Sequence, residues 1–113
     1  MALATLDWRL RRTVIFSSRD EFIKKVQETA SLWEHLRWLD EQDRSASEWL
    51  LPLTKLENID PDGFDVLYMS GIKYLQLGDS AKAGAYFDRA LRAATDEDMR
   101  NSVKRMKQII LLN

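Results

Sequence analysis

Residues 64–94, FDVLYMSGIKYLQLGDSAKAGAYFDRALRAA, constrain the fold of this chain more than any other stretch, because they read as two helices joined by a tight turn. Val66, Leu67, Ser70, Gly71 and Tyr74 recur at three- and four-residue spacing, which predicts a helix over about residues 65–77 with one apolar face. Gly71 stands inside it at a cost of about 1 kcal/mol relative to alanine. A glycine kept there points to a neighbour that needs the space of the missing side chain. Gly78 then ends the helix in the left-handed conformation that glycine adopts freely. Asp79 or Ser80 caps a second helix in which Ala81, Ala83, Ala85 and Ala90 alternate with Phe87 and Leu91, small residues that let two helices approach.

Set with Phe64 at its start, this hairpin resembles a tetratricopeptide repeat, a two-helix unit of about 34 residues with a Trp, Leu, Gly, Tyr, Ala, Phe, Pro pattern. Gly71, Tyr74, Ala83 and Phe87 fall on the pattern's Gly, Tyr, Ala and Phe, while Leu67, Ser70 and Thr95 replace its Trp, Leu and Pro. Carried back to Ala30, the register places Trp33, Leu36 and Pro61 on the Trp, Leu and Pro of a preceding, degenerate repeat. There Arg37, Asp40, Trp49 and Leu53 replace Gly, Tyr, Ala and Phe, and the bulk of Trp49 argues against close packing of that pair of helices.

Around this unit the chain is helical throughout. Residues 1–17 are the least legible: Leu6, Leu10 and Val14 recur every four residues as in a helix, whereas Thr13 to Phe16 carry strand-like side chains, and a short helix is expected. Ser18 with Glu21 has the capping-box arrangement, opening a helix to about Asp40 in which Phe22, Val26, Ala30, Trp33 and Leu36 follow the helical period. Ser45 with Glu48 repeats the box for a helix ending near Glu57, with Ala46, Trp49, Leu53 and Leu56 inward and Pro52 either kinking it or stopping it at Leu51. Thr95 with Asp98 caps a last helix whose Met99, Val103, Met106 and Ile110 cover the end of the array, as repeat folds require. Ile109 to Leu112 spread apolar side chains beyond that covered face, offering a contact to the N-terminal segment, a second copy or a partner. The expectation is one all-α domain of antiparallel hairpins: a poorly defined segment 1–17, a degenerate repeat 18–61, a tetratricopeptide-like repeat 64–94 in a right-handed superhelix, and a covering helix 95–113.

Composition narrows what such a domain does. The chain has 113 residues, 45% of them hydrophobic, no cysteine and a net charge of -1. That length supports a core without disulfides, and the absence of cysteine removes thiol chemistry and fits a reducing compartment. No apolar run approaches the roughly 20 residues needed to cross a bilayer and no signal peptide is evident, so a soluble cytoplasmic protein without membrane contact is expected. Near-neutral charge gives no reason to bind nucleic acid, and Arg9, Arg11 and Arg12 beside Trp8 read as a solvated face.

The single His35, with no cysteine and no nucleophile turn, supports neither a zinc site nor a catalytic triad, and the dispersed glycines form no phosphate loop. Asn58, Asp60, Asp62 and Gly63 match four positions of a calcium loop, but Met69 stands where the bidentate glutamate belongs and Pro61 interrupts it. No enzyme activity, metal or cofactor is expected.

What the resemblance implies is protein binding. In tetratricopeptide-repeat proteins the first helices of successive repeats line a groove that holds a helical or extended segment of another protein. By resemblance the groove-facing residues here are Glu34, Trp38 and Glu41 from the degenerate repeat and Tyr68, Ile72, Leu75 and Gln76 from the clear one. Met106, with Ser102 and Ile109, extends them if the last helix follows the same course. The apolar side chains favour an amphipathic helix as ligand, and so short an array suggests a small adaptor or chaperone. Homodimer formation or a fixed place in a larger complex is the alternative.

Overall fold

Two turns of one design shape the molecule. At Asp43, φ is 50°, Arg44 N–H donates to Leu39 O over 3.0 Å and Asp43 N–H to Asp40 O over 3.1 Å. At Gly78, φ is 83°, Asp79 N–H donates to Tyr74 O over 2.9 Å and Gly78 N–H to Leu75 O over 3.0 Å. Both are Schellman ends, in which one left-handed residue folds the chain back on the last helical turn and satisfies its free carbonyls. The computed structural model describes the backbone of residues 2–112 and the side chains of residues 19–112. Five helices are present among them: α1 (Ala2–Glu41), α2 (Ala46–Ile59), α3 (Phe64–Gln76), α4 (Ser80–Ala93) and α5 (Glu97–Leu112). All elements described are helical, so the chain is all-α as its patterning predicts.

The helix starts differ in detail from the expected ones. α1 runs unbroken through residues 2–41, where a separate N-terminal segment and a start at Ser18 were anticipated. No glycine or proline precedes Pro52, and two serines cost a helix interior only tenths of a kcal/mol each. The side chains of Trp8, Arg9, Arg11, Arg12 and Ser18 lie outside the described residues. Ser45 is the N-cap residue of α2 yet makes no side-chain cap, its hydroxyl lying 3.0 Å from that of Ser47 instead, while the Glu48 carboxylate accepts two 2.7 Å hydrogen bonds from Arg44. α2 continues through Pro52 to Ile59. Asp79 caps α4 by accepting from Lys82 N–H at 3.1 Å, and Asp96, rather than Thr95, caps α5 by accepting from Met99 N–H at 2.8 Å.

The chain divides into two units, Met1–Ser31 and Leu32–Asn113. The first is the N-terminal part of α1, and of its described side chains Phe22, Ile23 and Val26 are exposed. In the second, α3 is the central element. Val66 joins a cluster of Leu32, Leu36 and Leu39 from the end of α1 with Trp49, Leu53 and Leu56 of α2. One position on, Leu67 joins Ala83, Phe87 and Ala90 of α4 and Val103 of α5. A helix with such neighbours on two sides has little room for bulk where it crosses α4, and Gly71 sits there against the Phe87 ring. The hairpin α3–α4 is therefore the close-packed unit that the sequence predicts.

A polar clamp fixes α2 to α4. Tyr86 Oη donates to Glu57 Oε1 over 2.6 Å, Arg89 Nη1 to Glu57 Oε2 over 3.0 Å, and Arg89 Nη2 to the Pro61 carbonyl over 3.1 Å. Tyr86 also stacks on Tyr74 of α3, with ring centroids 5.5 Å apart and planes 10° from parallel. Charge-assisted bonds shared among three residues hold the second hairpin against the first more firmly than a single exposed ion pair does.

Candidate functional site

A groove of about 510 Å³ opens between the last turns of α1 and the middle of α3. From α1 it takes Trp33, Leu36, Arg37 and Asp40, successive positions on one flank at helical spacing. From α3 it takes Met69, Ile72 and Lys73. Its floor is Trp49 of α2, which is only 7% exposed. Trp49 occupies the position that Ala83 holds in the second hairpin, 34 residues on, and Ala83 is fully buried. An indole set where the other hairpin has a methyl accounts for the wide, apolar floor here and the tight helix contact there.

Charge enters at one edge. The Lys73 ammonium stands 3.8 Å from the centroid of the Trp49 ring, a cation–π contact. Partial burial pushes Lys73 below the ordinary lysine value, and the nearby carboxylates of Asp40 and Asp43 oppose that shift without reversing it. Beneath it the Trp49 Nε1 N–H is buried with no hydrogen-bond partner, a donor whose burial costs stability. Outside the groove, Arg44 lies 5.7 Å from the ring centroid of Trp38, which is 48% exposed, and His35 lies 6.3 Å from it on the other helical neighbour.

Of the residues expected to line a groove, Ile72 does so. Glu34, Trp38, Glu41 and Gln76 are exposed side chains away from that lining. Tyr68, Leu75 and Met106 pack half-buried against the cluster around Phe87, with Tyr68 stacked on Phe64 at 5.6 Å between centroids. The groove residues that the register does not select are Trp33, Leu36, Arg37, Asp40, Met69 and Lys73, together with Trp49, whose size at a small-residue position is the signal that marks it.

Among the described residues no three potential metal-ligating side chains come together, and no helix is long and apolar enough to cross a membrane. No protein-family model matches this chain, and no curated protein or solved structure matches it.

Proposed function

We propose that this chain is a non-enzymatic protein-binding module, a small adaptor or chaperone that holds a helical or extended segment of a partner protein in the groove between α1 and α3. The observation that carries the reading is the groove itself: an open apolar trough, floored by an indole, between the first helices of two successive hairpins. Tetratricopeptide-like arrays bind peptides in that place, and the Gly71, Tyr74, Ala83 and Phe87 positions support the likeness. Trp33 and Ile72, half-buried at the groove's edge, are side chains of the kind that anchor interfaces. The test is affinity capture from native lysate with the wild type and two variants, Ile72→Asp on the apolar wall and Arg37→Glu on the exposed rim, each shown by circular dichroism to keep its helicity. A stoichiometric partner lost from both supports the reading, and one retained by both refutes it.

A second reading, a homodimer or a fixed subunit of a larger complex, is favoured by the end of α5, where Leu111 and Leu112 are 84% and 86% exposed. Apolar side chains so bare commonly meet a neighbour. Sedimentation across a concentration series separates the two, since a groove-based adaptor is monomeric without its ligand and an obligate interface persists on dilution.

A further inference from the structure

The chemistry of the groove specifies its ligand more narrowly, on the reading that it binds protein at all. Two of its three charged side chains, Arg37 and Lys73, are cations, and among the described residues neither has a carboxylate within 4.0 Å. Arg44, Arg89, Arg100 and Lys107 differ in this respect, each resting on an acidic partner. Lys73 rests on an aromatic face instead, with its ammonium fixed and partly dehydrated 3.8 Å above the centre of the Trp49 ring. An arriving carboxylate therefore meets a positioned cation and breaks no internal ion pair to reach it, which lowers the cost of pairing. Around that cation the wall is apolar, from Leu36 and Met69 to Ile72.

We propose that the groove selects an acidic amphipathic segment of a partner protein, one large apolar side chain lying against the Met69 and Ile72 wall and an aspartate or glutamate three or four positions away pairing with Lys73, while Arg37 draws the acidic face in. Charge complementarity singles out this ligand. Two cations beside Asp40, with Asp43 also near Lys73, match one or two carboxylates of a peptide rather than the repeated phosphates of a nucleic acid.

The test is selection from a phage-displayed library of random linear peptides on the immobilised full chain, followed by affinity measurement of an enriched peptide against wild type, Lys73→Gln, Lys73→Arg and Ile72→Asp, all checked for unchanged helicity. The expected result is enrichment of sequences with a carboxylate one helical turn from a large apolar residue. Binding then falls about tenfold in Lys73→Gln, as loss of one charge-assisted contact predicts, is largely kept in Lys73→Arg, and is abolished in Ile72→Asp. Enriched peptides with no acidic preference, or equal binding by Lys73→Gln, overturn this inference and leave the protein-binding reading standing. If no sequence enriches, or enriched peptides bind Ile72→Asp unchanged, both fail. Displacement of the peptide by a single-stranded oligonucleotide assigns the cations to nucleic acid and overturns the proposal. A wild-type dimer that Ile72→Asp converts to monomer assigns the groove to a second copy, with the same consequence.

Discussion

Gly71 of α3 and Phe87 of α4 meet so closely that a methyl group at position 71 would lie 2.5 Å from Cε1 of the ring, 2.7 Å from Cδ1 and 2.9 Å from Cζ. Phe87 is fully buried, so the ring has nowhere to retreat. Gly71→Ala is expected to destabilise by about 1–3 kcal/mol through overpacking, although alanine is the better helix former by about 1 kcal/mol. Phe87→Ala should cost about 3–5 kcal/mol. In the Phe87→Ala background the clash is gone, so Gly71→Ala becomes neutral or stabilising. Urea unfolding of the four proteins measures this coupling, and additive single effects would show that the two residues do not press on each other.

This pair also shows how much of the fold is legible in the sequence. Gly71, Gly78 and the alternation of small and large residues in α4 each have one steric reason, and each reads correctly from spacing alone. The course of α1 is less legible, because Ser17 and Ser18 carry a cap signature that a helix free of glycine and proline simply runs through. The groove is legible only in its general place. Register makes Glu34, Trp38 and Glu41 the equivalents of Tyr68, Ile72 and Leu75, but a groove between neighbouring helices is lined by opposite flanks of the two. α1 accordingly contributes Trp33 and Arg37 where α3 contributes Ile72 and Lys73. Equivalence in sequence and adjacency in space are different relations, and spacing reports only the first.

The turn between α3 and α4 isolates a pure backbone effect. A Cβ at Gly78 would meet nothing within 4 Å, yet φ there is 83°. Gly78→Ala should therefore cost about 1–2 kcal/mol from conformational strain alone. Next to it, Asp79→Ala removes the cap on Lys82 N–H and should cost about 1 kcal/mol. Chemical denaturation distinguishes these from Ser80→Ala, an exposed neighbour expected to be within about 0.5 kcal/mol of wild type.

The clamp between α2 and α4 is expected to fail in alkali. Burial first, and then the hydrogen bond to the Glu57 carboxylate, push the Tyr86 phenol up to about 12 from its ordinary value of 10.0. A folded-state value above the unfolded one means stability fully present below pH 10 and lost as pH rises through about 12. Tyr86→Phe lacks this contribution, so the stability difference between wild type and variant should be constant at neutral pH and shrink across that window. Paired denaturation curves and difference absorbance of the phenolate check it, and a gap that stays constant to the highest pH would rule out the Glu57 bond as its source.

Trp49 combines a favourable face with an unfavourable edge. Its ring is buried in the α1–α2 cluster and carries the Lys73 ammonium, while its Nε1 N–H is buried with no acceptor. An orphaned donor of this kind costs about 1–3 kcal/mol, which offsets part of what the ring contributes. Trp49→Ala removes both and leaves a cavity under the groove, so it should cost about 3–5 kcal/mol. Trp49→Phe keeps an aromatic floor and deletes the donor, and the two effects should nearly cancel, leaving stability within about 1 kcal/mol of wild type. Urea unfolding compares them directly. A phenylalanine variant as unstable as the alanine one would mean that the N–H is satisfied and that the width of the indole, rather than an aromatic floor as such, holds α1 and α2 apart.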